Sequence, residues 1–154
     1  MATKSLDVVT LSAPIESISK TVNETFTISQ SYTLTGNGGS PTVNIYWQYD
    51  QGSSTWIDIP TSGSTGLTAD SGAQNSAIAG TTYNRTITCK SVGVYVIRAK
   101  AVDTTNTITK YSTNTPTVTV AGEPQLYYQD VSGDIAFARQ TKKMIRKRVK
   151  RKKK

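Results

Sequence analysis

Few side chains in this chain of 154 residues are equipped for covalent or metal chemistry. It has no histidine and a single cysteine, Cys89. No imidazole can act as general base, no Cys/His zinc site can be assembled, and no disulfide can close within the chain. Cys89 stands beside Lys90 in a run that reads as a strand. With no base to activate it, the thiol is expected to act as a small apolar strand residue. Asp50, Asp58, Asp70 and Asp103 fall in or beside turns but lack the D-x-D-x-D spacing of a calcium loop, so they are expected to be solvated turn residues. Gly36-Asn-Gly-Gly39 is glycine-rich, yet no helix follows to complete a phosphate cradle, and a hairpin loop is the expectation. No catalytic residue, metal ligand or cofactor is therefore expected, and no enzyme.

The one strong chemical signal is charge. From Arg139 to Lys154 the chain reads RQTKKMIRKRVKRKKK, eleven cations and no acid among sixteen residues. The chain holds 18 Lys+Arg and 10 Asp+Glu, so seven cations stand against ten acids before Arg139, and that body carries −3. The high isoelectric point thus belongs to one arm, which points to a tether for an anionic partner. Arg139, Lys142, Lys143, Arg146, Lys147 and Arg148 form its first half, and Lys150, Arg151, Lys152, Lys153 and Lys154 its second. If 135–149 is helical, with Asp134 as its cap, Ile135, Ala138, Ile145 and Val149 share one narrow face and the remaining surface is cationic. So much like charge makes an isolated helix marginal in water, and ordering is expected on contact with the partner. The apolar stripe is too thin for a lipid anchor, and no membrane partner is expected. Phosphates and acidic protein surfaces both remain open. No Tyr or Phe alternates with the charges to stack bases, so nucleic acid would be gripped by its backbone and not read.

The body is rich in Thr and Ser, with β-branched and aromatic residues in short alternating runs. Phe26, Ile28, Tyr32 and Leu34 point one way; Val43, Ile45, Trp47 and Tyr49 alternate again after the glycine turn. Further strands are expected at 6–11, around Trp56 to Ile59, at 83–90, at 94–103 and through Thr117 to Val120. Residues 61–81 show weak periodicity and read as a long surface loop with room for one edge strand. Seven or eight strands in antiparallel order bury their apolar faces most simply as two packed sheets. Composition changes at Gly122. The expected division is a sandwich over 1–121, a connector over 122–134 and a polybasic arm over 135–154.

The run Gly93-Val-Tyr95-Val-Ile97-Arg-Ala99-Lys-Ala101-Val-Asp103 resembles strand F of immunoglobulin-like, PKD-like and fibronectin-type-III-like domains. That resemblance implies an all-β, immunoglobulin-like, two-sheet antiparallel sandwich. It makes Tyr95 the corner tyrosine, whose hydroxyl bonds back to the backbone before the strand. It puts Ile97 and Ile28 where antibody domains carry their disulfide, and Trp47 in the place of the core tryptophan of strand C. Trp56 then has no assigned place: it packs under the long loop or stands at an interface.

Such a fold hosts many roles, so the arm decides the functional expectation. The start, MATKSLDVVTLSAP, lacks a secretory apolar core, and no stretch approaches the roughly 18 apolar residues of a membrane span. The expectation is a non-catalytic structural protein made in a host cytoplasm and carried on a virion. In that reading it is a bacteriophage capsid decoration or other accessory protein, with shell or other particle proteins as partners. A nucleic-acid-binding coat or packaging protein is the alternative. A carbohydrate- or cell-binding module comes third, since it needs an exposed aromatic platform and leaves the arm without a task.

Overall fold

The computed structural model describes residues 2–124 and two short strands beyond them. The chain forms two units, Met1–Gly122 and Glu123–Lys154. In the first unit β1 (Ser5–Ala13), β3 (Thr25–Thr35), β7 (Tyr83–Cys89) and β6 (Leu67–Ala69) make one sheet, in the order β1-β3-β7-β6. The other sheet runs β2 (Ile18–Thr21), β10 (Thr117–Ala121), β8 (Gly93–Asp103), β4 (Val43–Asp50) and β5 (Ile57–Asp58), with β9 (Ile108–Tyr111) also paired to β8. This is the two-sheet arrangement of an immunoglobulin-like sandwich.

Alternation builds the core. On β8, Tyr95, Ile97, Ala99 and Ala101 are fully buried while Val94 stands exposed, and Val96, Arg98 and Lys100 line the outer face. Strand β4 faces it with Val43, Ile45, Trp47 and Tyr49 inward, paired so that Trp47 lies opposite Ala99. The small Ala99 leaves room for the indole. From the other sheet come Phe26, Ile28 and Tyr32 of β3 and Ile87 and Cys89 of β7. Cys89 is buried, and burial pushes its thiol pKa up, in keeping with an inert strand residue. Each large aliphatic side chain removed from water contributes about 1.5–3 kcal/mol.

Three features depart from expectation. First, the sandwich is not wholly antiparallel: β2 runs parallel to β10, with Ile18 opposite Val118 and Thr21 opposite Ala121. The opening run is divided at Pro14, which has no N–H for a ladder, so β1 joins one sheet and β2 the other. Second, 61–81 does more than cover the surface. Besides β6, its backbone pairs with β4 through Gln74, which exchanges hydrogen bonds with Ile45, and Ala77, whose amide donates to the Val43 carbonyl, and with the opposite sheet through the Gly80 amide to the Tyr32 carbonyl and the Asp70 amide to the Thr86 carbonyl. It closes one open side of the sandwich. Periodicity could not show this, because backbone and not side chains makes the contacts.

Third, Asp50 and Asp103 are buried rather than solvated, Asp103 completely. Asp103 Oδ1 accepts from the Thr105 and Asn106 amides at 3.0 and 2.9 Å, and Oδ2 from Asn106 Nδ2 at 2.8 Å. Burial alone would raise its pKa, but these donors hold it below the ordinary carboxylate value. Asp50 serves the turn after β4 in the same way, accepting from Ser53 and Thr55. Neither carboxylate is left over for a ligand.

In the second unit, β11 (Tyr127–Gln129) pairs antiparallel with β12 (Ile135–Phe137), Tyr127 opposite Phe137 and Gln129 opposite Ile135. The expected helix therefore does not begin at Ile135. Ile135-Ala-Phe137 is extended, because the Tyr-Tyr-Gln run of β11 offers it a ladder partner. The remainder of that expected helix, with Ala138, Ile145, Val149 and all eleven cations from Arg139 to Lys154, lies outside the described residues.

Candidate functional site

The four residues expected to define the fold all lie in the buried core. Ile28 and Ile97 are fully buried on opposite sheets, and Trp47 is 3% exposed. Tyr95 makes the corner: its hydroxyl donates to the Ser91 carbonyl at 2.9 Å and meets the Ser91 hydroxyl at the same distance. Its ring stands edge-on to Tyr49, with centroids 5.5 Å apart. The core thus stabilises the sandwich. Among the described residues no three His, Cys, Asp or Glu side chains gather where they could hold a metal.

What the structure adds is a row of rings and cations on the outer face of the β8 sheet. Residues two apart on β8 share a face, so Arg98 and Lys100 both point outward. Arg98 is stacked against two rings, with its guanidinium carbon 4.0 Å from the Trp56 ring centre and 3.8 Å from that of Tyr111. Its Nε donates to Gln48 Oε1 at 2.9 Å, and Gln48 Nε2 donates to Asp58 Oδ1 at 2.8 Å, which fixes the plane of the guanidinium. Lys100 Nζ lies 5.0 Å from the ring centre of Tyr46, its partner across β4. Asp50 also acts on Arg98 through its charge. Partial burial lowers the Arg98 pKa, with Tyr111 opposing.

Trp56 is thereby placed: it is half-buried against Arg98 on the sheet's outer face, and it neither packs in the core nor stands free. The sequence missed this group because Trp56, Arg98 and Tyr111 come from three separate segments. The outward alternation of Arg98 and Lys100 on a recognisable strand was the one available signal.

No protein-family model matches this chain, and no curated protein matches it. Similar solved structures exist. Domains 4 and 5 of the S-layer protein SbsC superpose with a TM-score of 0.43 and 16% identity over 77% of this chain and 53% of that one. The PKD domain of an M14-like peptidase from a Thermoplasmatales archaeon gives 0.46 and 17% over 75% and 94%. A chaperone-tip adhesin complex of CFA/I fimbriae gives 0.46 and 14% over 84% and 64%. This chain spans about half the length of the S-layer chain. Such a fold hosts many unrelated roles, so the likeness bears on architecture alone.

Proposed function

We propose that this protein is a non-catalytic structural module displayed from a particle, with the sandwich as its body and the basic arm as its anchor, and that the particle is a bacteriophage virion. The observation that carries this reading is the division of charge. All the excess cation lies in 139–154, beyond a unit that ends at Gly122 and carries its own buried core. Eleven cations with no acid among them bind anions by number and not by shape. The unit up to Gly122 holds seven cations and seven acids, so it brings no net charge to that partner and the anchoring falls to the arm. In a virion this geometry suits decoration, in which the arm grips an acidic shell surface and the sandwich faces outward.

The alternative, phosphate binding as the main activity in a coat or packaging protein, uses the same arm. The two differ in what they ask of the apolar residues. A shaped protein groove depends on Ile145 and Val149, and a phosphate backbone does not. Ile145→Ser with Val149→Ser should weaken binding to purified particles while leaving duplex DNA binding and its salt dependence unchanged. Equal indifference in both assays, or steep sequence-independent DNA binding with no particle binding, would overturn the decoration reading.

A further inference from the structure

We propose that the outer face of the β8 sheet is a second docking site, independent of the arm, which takes an acidic extended segment of a partner protein through Arg98 and Lys100. Both cations are held in place before any partner arrives. Arg98 is fixed by two rings and by Gln48, so its fork loses little freedom on binding a carboxylate, and Lys100 stands one strand repeat along the same face. A peptide in β conformation presents alternate side chains at that same repeat, so two carboxylates on one side of it match the two cations. Asp50 acts on Arg98 through its charge and Asp58 is linked to it through Gln48, whereas Lys100 lies against the Tyr46 ring. Tyr111 and Ile57, both more than 40% exposed, supply an apolar margin from which a partner would exclude water.

The same residues select against other polyanions. Trp56 and Tyr111 each have a ring face covered by Arg98, which closes that face to a stacking base or sugar. Asp58 is exposed beside Gln48, and Asp50 ends the same strand. A long phosphate chain crossing the face would pass the exposed Asp58, whereas a short peptide bearing two carboxylates need only meet the cations.

The test uses the full chain and an amidated decapeptide of alternating glutamate and serine, followed by amide and side-chain NMR shifts in salt of about 0.15 M. Saturating shifts are expected at the Arg98 Nε–H and the Trp56 indole N–H. Arg98→Gln and, separately, Lys100→Gln should each weaken this site by about tenfold or more while the shifts of the arm residues persist. Arg98→Lys, which keeps the charge and loses the fork, should also weaken it. Wild-type amide dispersion in each variant shows that the sandwich is intact. The proposal is overturned if the peptide shifts only arm residues, or if a thymidine decanucleotide or an oligouronate moves the Arg98 and Trp56 signals while the peptide does not. Loss of the face signals with arm binding preserved leaves the charge-division reading standing, so the two can fail separately.

Discussion

The guanidinium of Arg85 lies 4.2 Å from the ring centre of Trp47, so a cation from one sheet covers the principal aromatic of the other. Arg85 is steered there by the segment that closes the sandwich. Its Nε donates to the Gly72 carbonyl at 3.0 Å, and Nη1 to the Asn84 carbonyl at 2.8 Å. The closing segment, Arg85 and Trp47 therefore form one packed stack.

Trp47→Ala should cost about 3–5 kcal/mol, the scale of an emptied aromatic site in a core. Arg85→Ala should cost about 1–3 kcal/mol, since a cation–π contact and charge-assisted hydrogen bonds are lost together. Urea unfolding reads both. A loss under about 1 kcal/mol for Trp47→Ala would contradict its place in the core.

Tyr95→Phe removes the corner hydroxyl and nothing else, and should destabilise by about 1 kcal/mol. Ser91 loses a partner at both its hydroxyl and its carbonyl, so an unchanged unfolding midpoint would argue against the corner.

Asp103 gives the fold an acid limit. Its folded pKa lies below the ordinary 3.8, so its contribution is fully present above that value and is lost as pH falls through the folded pKa. The stability advantage of wild type over Asp103→Asn should be flat above about pH 5 and shrink below about pH 4. An advantage that stays constant down to about pH 2 would show that the carboxylate is not held in its charged form.

A chain truncated after Pro124 should unfold in one cooperative transition, because the buried cluster found among the described residues lies within the first unit. A broad, non-cooperative melt would show that later residues complete the core.

The long strands were legible because β3, β4 and β8 alternate over enough residues to display their period, and the Tyr95 pattern named the corner. Elements whose pairing rests on backbone were not: Ile18–Thr21 is short and polar, and Ile108–Tyr111 has only two alternations. The buried acids were hidden for a related reason. Asp103 looks like any turn aspartate until the amides that converge on it are in place. The arm's charge was fully legible as composition, whereas the Trp56, Arg98 and Tyr111 stack exists only once three segments meet.

The central claim is that the arm anchors the sandwich to a particle. Its most direct test is to purify phage particles from cells producing this protein and weigh its stoichiometry beside that of a variant with Arg146, Lys147, Arg148, Lys150 and Arg151 changed to Gln. The wild-type chain should co-purify in a fixed ratio to the shell protein, and the variant, folded alike, should be left behind. Absence of the wild-type protein from the particles, or equal retention of the variant, would contradict the account.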